Sequence, residues 1–480
     1  MSWKSLFFKT ILLLSTLVVA GSLYAQSGVT ISVETGEPGT AIAPDFEGLS
    51  FELSQLFPDE KGVRYFRPDN RPLISLFQTL GIKNLRVGGN TADRNWKKAP
   101  TEADIDSLFA FAKVAGIKVI YCLRLRGGNA AQEAGVAKYI MDRYPNQIDC
   151  FSIGQEPNVY PKDPATNKRP TYDDFAKQWK QFEEFIAACV PGVKFCGPSV
   201  DDTPIWQQQF MRDFRQGDHV TLITTHLYPG RSGEKVPTPE IGRNRMLSDD
   251  FTSEDLKLYN GFATTALADG FPYRLEEANN YFNGGATNVS DTFASALWGL
   301  DFMYWWAEHD AAGINFHTGD RVAAGAELRP SRYTAYFTTT DGFTVRPLGY
   351  GIKAFDVGSH GKLVPAILSN PQNLNLTAYA VAGDDRCLYL TIINKEHGNS
   401  ARPADVLLAG TPGYGHAMVM SLTAPHNDVT AKAGMTLGGS KINDDGSWNG
   451  KWTRVPTDEM GIFTLKIPPA SASIIRLTAD

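Results

Sequence analysis

Two glutamates stand where a chain can put a carboxylic acid to work. Glu156 closes the run "DCFSIGQE" and is held between Gln155 and Pro157. Glu277 lies in "PYRLEEAN", residues 272–279, again at the end of an apolar, strand-like run. One carboxylate after a strand reads as a helix N-cap neighbour or a loop ion pair. Two brought to one point can do chemistry. One, protonated, helps an oxygen depart, and the other, ionised, attacks a carbon, as cleavage of a glycosidic bond requires. Different surroundings can hold two such pKa values apart. Glu276 adjoins Glu277. Successive strand residues point to opposite faces, so with Glu277 facing the site, Glu276 is expected to face helices or solvent.

The elements that must position these acids alternate along the chain. Short apolar runs read as buried parallel strands, and longer amphipathic runs between them as helices. The predicted strands are 46–53, 84–89, 118–125, 149–154, 193–198, 221–228, 272–279 and 313–319. The predicted helices are 71–80, 103–115, 132–144, 172–189, 204–215, 254–268 and 291–309. In the segment 172–189, Phe175, Trp179, Phe182 and Ile186 recur at helical spacing and make one apolar face. Eight strands alternating with helices predict a (β/α)8 TIM barrel over 41–354. An open doubly wound sheet is the alternative, but no GxGxxG follows the first strand. Over 355–480 helical periodicity gives way to β-rich runs separated by Gly, Asn and Asp, which predicts a C-terminal antiparallel β-sandwich. The segment 26–40 carries a further strand, "GVTISVET", expected to join that sandwich.

Barrel enzymes carry their site at the C-terminal strand ends. There the sequence places Glu52, Arg86, Asn90, Arg124, Arg126, Asn129, Gln155, Glu156, Asn158, His226, Tyr228, Glu276, Glu277, Asn279, His317 and Asp320. The strands bearing Glu156 and Glu277 are the fourth and the seventh, which face one another across a barrel mouth. Other chemistries lack their residues. No GxSxG elbow, HExxH pair or GxxxxGK[ST] loop occurs. His226 and His317 have no third partner at fixed spacing and read as polar residues lining the site rather than as metal ligands.

Composition narrows the partners. The net charge of -6 argues against nucleic acid, which needs a basic face. Lys4 and Lys9 precede the apolar run "ILLLSTLVVA", and small residues follow up to Ala25. Residues 1–25 therefore read as a secretory signal, and the protein as secreted or periplasmic with no membrane attachment after cleavage. The five cysteines are odd in number and form no CxxC pair, so neither a disulfide framework nor a metal site is expected. Cys122, Cys150 and Cys196 read as buried thiols, and a Cys189–Cys196 bridge is left open.

The motifs "IAPDFEGLSFELSQL", "NLRVGGNTADRNW", "SIGQEPN" and "YRLEEANNYFNGG" together resemble glycoside hydrolase family 79, and the resemblance covers nearly the whole chain past residue 25. That family holds exo-acting β-glucuronidases and heparanases, in a clan of retaining (β/α)8 glycosidases. The resemblance implies Glu156 as acid/base and Glu277 as nucleophile, with Tyr228 orienting the nucleophile. It implies Glu52, with Asn90 beside it, at the distal hydroxyls of the terminal sugar. Gly284 and Gly285 match paired glycines whose N–H groups bind a sugar carboxylate, and Tyr333 matches a tyrosine completing that pocket. Two positions depart from the pattern. Gln155 stands where the clan's Asn holds the sugar 2-hydroxyl, and Phe282 where glucuronidases carry a tyrosine.

The resemblance thus implies a retaining exo-β-glycosidase, specifically a β-glucuronidase, with a carbohydrate substrate, no cofactor or metal, and no obligate protein partner. A related glycosidase for a neutral sugar or a disaccharide unit is the alternative. A non-catalytic carbohydrate-binding barrel is a third, disfavoured by the two intact glutamates.

Overall fold

The computed structural model describes residues 28–479 apart from 38, 216, 218, 325–326, 410–412 and 458–461. The expected secretory signal, 1–25, lies outside the described residues.

Eight strands are apolar enough on both faces to be buried in a closed parallel sheet. They are β2 (Glu47–Glu52), β3 (Asn84–Gly88), β4 (Lys118–Leu123), β5 (Ile148–Ile153), β6 (Phe195–Asp201), β7 (Val220–Leu227), β8 (Tyr273–Ala278) and β9 (Ile314–His317). They close in chain order, with β9 pairing β2 in parallel. This is the predicted (β/α)8 barrel. Helices start where the sequence caps them. Thr101 and Asp104 form a capping box before Glu102–Ala115, and Thr171 and Asp174 do so before Tyr172–Cys189. In the latter helix Phe175, Trp179, Phe182 and Ile186 are buried as one face. Trp179 meets Phe195 of β6 edge-on at 5.9 Å. Each such side chain contributes roughly 1.5–3 kcal/mol by leaving water.

Past the helix Pro347–Gly358 the chain is β-structure. The strand β1 (Val29–Val33), at the other end of the described chain, pairs antiparallel with Ala366–Ser369 and parallel with Ala404–Ala409. Val29, Ile31 and Val33 share a core with Leu390, Ile392 and Ile475 of the larger neighbouring sheet. That sheet meets the helix Phe293–Glu308, between β8 and β9, where Tyr304 stacks on Tyr379 at 4.9 Å. Two short hairpins follow β9, Arg321–Ala324 with Glu327–Pro330 and Tyr336–Thr338 with Phe343–Val345. All five cysteines are free. No helix among the described residues is long and apolar enough to cross a membrane.

The register of β8 corrects one expectation. Thr225 pairs with Leu275, but the next residue, His226, pairs with Glu277. On the other side Leu275 pairs with Ile314 and Ala278 with Phe316. Glu276 and Glu277 therefore oppose single steps of both neighbours, which is a β-bulge. Glu276 does not face the helices or solvent. It is fully buried, with its carboxylate 3.5 Å from His226 Nε2. The bulge suspends the two-residue alternation and turns adjacent side chains inward.

Candidate active site

Glu156 follows β5 at φ 46°, ψ 58°, a left-handed conformation adopted just ahead of Pro157. A non-glycine residue there, preceding proline, holds a strain of order 1–3 kcal/mol. The surroundings enforce it. The Glu156 N–H donates to Ser199 O at 2.9 Å, Oε1 lies 3.1 Å from His226 Nδ1, and Arg94 donates to Oε2. Asp93 fixes the same turn from behind, accepting from the Gln155 N–H at 3.2 Å and from the Tyr160 hydroxyl.

Glu277 ends β8 inside a ring of donors. Arg86 Nη1 donates to Oε2 at 2.7 Å, Gln155 Nε2 to Oε2 at 3.2 Å, and the Tyr228 hydroxyl to Oε1 at 2.8 Å. Arg86 is itself fully buried. It passes against Gly88, where a Cβ would stand 2.5 Å from its Cζ, so a larger residue there would displace the guanidinium. Burial pushes the Glu277 carboxyl up, but His317, His226, Arg86 and the Tyr228 hydrogen bond outweigh it and hold the group well below the usual carboxylate range. His226 is the counterpart. Burial lowers its pKa, yet Glu277, Glu156 and Glu276 push it up to about 10, so the ring is an imidazolium at neutral pH. Burial, reinforced by the Glu156 charge, pushes Asp201 up to about 7.

A cavity of about 170 Å³ opens over these groups, lined by Asn90, Arg94, Glu156, Asp201, Tyr228 and Glu277, with His317, Ala323, Tyr333, Phe282, Asn283 and Val159 closing it. It is well under the roughly 300–1,000 Å³ of sites for drug-sized ligands, a volume suited to one sugar ring. One oxygen of Glu156 and one of Glu277 lie within 4.8 Å of each other and of a His226 ring nitrogen. A larger cavity of about 430 Å³, between Arg64, Tyr65 and the turn 339–342, contains neither glutamate.

Glu156, His226 and Glu277 are also the one group among the described residues close enough to hold a metal ion. Their donor atoms are committed elsewhere. Arg86 already pairs with Glu277, Arg94 with Glu156, and His226 Nδ1 with Glu156, so the spot brings positive groups where a cation would sit and is a poor host for one.

The other expected site residues fall into two layers. Asn90, Tyr228 and Tyr333 line the cavity. Glu52 and Gln155 lie behind its wall. Glu52 accepts from Thr91 N–H and hydroxyl, both at 2.8 Å, and from Ala323 N–H at 3.0 Å. Gln155 spends its amide on Arg86 and Glu277. Gly284 and Gly285 adopt φ +85° and +88°, open to glycine without strain. The Gly284 N–H reaches the Tyr333 hydroxyl, whereas the Gly285 N–H turns to Phe282 O at 3.4 Å. Sequence reasoning missed Arg94, Asp201, Asn283 and Ala323. Arg94 stands four residues after Asn90 and donates to its Oδ1 from Nε at 2.7 Å, a spacing visible in "NTADRNW". Asp201 is the last residue of β6, which runs three residues past the predicted strand end.

A closed (β/α)8 barrel with two carboxylates converging from β5 and β8 is the arrangement that barrel glycosidases share. No family model matches the chain. It is similar to a β-glucuronidase of Aspergillus niger, 23% identical over 77% of this chain and 74% of the relative. It is likewise similar to a β-glucuronidase of Neurospora crassa, 23% identical over 61% of this chain and 60% of the relative. Among solved structures it superimposes on a 4-O-α-L-rhamnosyl-β-D-glucuronidase from Fusarium oxysporum, with TM-score 0.69 and 19% identity over 93% of this chain and 99% of the other. A family 51 arabinofuranosidase from Xanthomonas axonopodis gives TM-score 0.66 at 12% identity over 94% and 100%. The resemblance to glycoside hydrolase family 79 carried by the four motifs thus holds, toward its β-glucuronidase members.

Proposed function

We propose that this chain is a retaining exo-β-glucuronidase, a glycoside hydrolase that removes a terminal β-linked glucuronate. The observation that carries the reading is the pair of carboxylates with oxygens within 4.8 Å over a cavity sized for one ring. Retaining enzymes hold their two carboxyl groups roughly 5–5.5 Å apart, whereas inverting ones leave about 6.5–9.5 Å for a water. Glu277, ionised among its cations, attacks the anomeric carbon and forms a glycosyl-enzyme. Glu156 gives its proton to the leaving oxygen, then takes one from water as that water attacks the intermediate. Tyr228 and Arg86 keep the nucleophile's oxygens aimed. The Tyr333 hydroxyl, which accepts from the Gly284 N–H, keeps its own proton to donate to the sugar carboxylate, and Asn90 faces the same cavity. Export to the periplasm or the outside belongs to this reading through residues 1–25.

Kinetics with p-nitrophenyl β-D-glucuronide and β-D-glucoside, alongside NMR of the first anomer released, test it. Preference for the glucuronide with β-anomer product is expected. Release of the α-anomer would sink the mechanism. Preference for the glucoside would favour the second reading, a neutral-sugar or disaccharide-releasing glycosidase. Phe282 supports that alternative, because it lines the cavity with a ring that carries no hydroxyl.

A further inference from the structure

Glu276 is the buried acid that the catalytic scheme leaves unused. It does not line the cavity, and it is fully inaccessible. Yet the bulge in β8 spends a residue to turn it inward, where its Oε1 sits 3.5 Å from His226 Nε2. The other ring nitrogen of His226 lies 3.1 Å from Glu156 Oε1. Imidazole therefore stands between two carboxylates, one exposed to the cavity and one not. Cys196 Sγ lies 3.9 Å from Glu276 Oε2, and Ser199 also hydrogen-bonds the buried carboxylate. Ser199 O in turn holds the Glu156 N–H at 2.9 Å. Two routes thus run from Glu276 to Glu156, one through the imidazole and one through Ser199.

We propose that Glu276 is a positioning residue for the acid/base, holding the His226 ring so that its Nδ1–H stays aimed at Glu156. A buried imidazole needs one ring nitrogen fixed for the other to keep its direction and its proton. The charged groups around the ring agree. Glu156, just after β5, Glu276 and Glu277 on β8, and Asp201 on β6 act on it, while Arg94 pairs with Glu156 and Arg86 with Glu277. The raised His226 pKa is the consequence expected of a ring held by carboxylates on both sides. The inference rests on the glycosidase reading, which makes Glu156 the acid, but the ion pair can be read without any substrate.

The test is Glu276→Gln, which keeps shape and removes the charge. NMR titration of the His226 ring should show its pKa fall by at least one unit; an unchanged titration overturns the proposal. In kinetics, phenyl β-glucuronide, whose leaving group needs a proton, should lose about tenfold or more in kcat/KM. The 2,4-dinitrophenyl glucuronide, whose leaving group does not, should stay within about twofold. Equal losses on both substrates would mean a structural role only and also overturn it. If the wild-type protein cleaves neither glucuronide, the function reading fails, and the titration alone decides the pairing. Glu276→Asp, which keeps the charge one methylene back, serves if Glu276→Gln does not fold. It should show the same split between substrates in weaker form, and no split overturns the proposal.

Discussion

Each end of the barrel buries an arginine among amides and acids, and the two ends use it differently. At the floor, Arg274 on β8 donates to Asn315 Oδ1 at 2.7 Å, Asp45 O at 2.6 Å and Ala312 O at 3.0 Å. Asn315 passes the network to Asn84 at 2.8 Å and to Leu49 O at 3.2 Å. Most of these contacts end on backbone carbonyls or amides, which are fixed and uncharged. At the mouth, Arg86 donates to Glu277, Gln155 and Ser50, all side chains, and among the described residues its Nε has no hydrogen-bond partner. His226 Nε2 and Glu276 Oε1 are also left short of a full hydrogen bond. A satisfied buried network rigidifies a fold, whereas the network at the mouth directs its charges onto Glu277 and Glu156, the two carboxylates that line the cavity. On the proposed function the floor serves stability and the mouth chemistry, although the same residue types make both.

The largest expected effect breaks the mouth without touching the floor. Glu277→Gln should lower kcat by roughly 10⁴-fold or more if Glu277 is the nucleophile we propose, since a nucleophile acts in concert with its partners and cannot be replaced by them. The protein should still fold, because the amide keeps the carboxylate's shape, its one oxygen can accept from Arg86, and its NH2 can donate to the Tyr228 hydroxyl oxygen once that hydroxyl turns its own proton away. Steady-state rates together with a thermal melt check both halves. Arg274→Met is the mirror experiment. It strips a buried donor from Asp45, Asn315 and two carbonyls and should cost about 3–5 kcal/mol in denaturant unfolding. The kcat of the folded fraction should not change. A drop in kcat would dissolve the division between the two ends.

That division was only half legible in the sequence. The strands announce themselves because burial on both faces demands unbroken apolar runs, and the acids stand out as the polar residues that stop them. Glu156 and Glu277 are legible for that reason. Glu276 is not, because a bulge inserts one residue without changing composition or hydrophobic pattern. Asp201 was hidden by Gly197 and Pro198, which read as a strand end although β6 continues through them. Arg94 required the tertiary path of the loop after β3. The hairpin of Arg321–Ala324 with Glu327–Pro330 walls the cavity through Ala323, yet its strands are too short to leave a period in the sequence.

Two buried glutamates sharpen the comparison through pH. Glu47 opens β2 at the floor, and burial, reinforced by the charge of Asp356, pushes it up to about 8. Its folded pKa is above the unfolded value, so its stability contribution is complete below about pH 4.5 and is lost as pH rises toward 8. Glu277 has the opposite sign. Its contribution is present above about pH 4.5 and is lost as pH falls toward its depressed folded pKa. Glu47→Gln should therefore melt like wild type near pH 4.5 and gain on it by up to roughly 1.4 kcal/mol per pH unit before levelling near pH 8. Melts from pH 4 to 9 decide the matter. A constant difference across that range would mean that Glu47 does not titrate with folding.

The smallest effect separates two tyrosines that stand side by side, with ring centroids 6.2 Å apart. Tyr228 donates to Glu277 Oε1 at 2.8 Å, whereas Tyr333 takes the Gly284 N–H and has no hydrogen bond to the nucleophile. A hydrogen bond to a charged group contributes about 1.5–3 kcal/mol. Tyr228→Phe should thus lower kcat by roughly tenfold to a hundredfold on glucuronide and glucoside alike, because the nucleophile is common to both. It should also shift the acid limb of kcat/KM upward, since one of the groups holding the Glu277 pKa down is gone. Tyr333→Phe should leave kcat nearly intact and raise KM for the glucuronide alone, by removing a donor to the sugar carboxylate. If Tyr333→Phe instead weakens both substrates equally, its hydroxyl serves the nucleophile through Tyr228, and the carboxylate pocket rests on Gly284 without it.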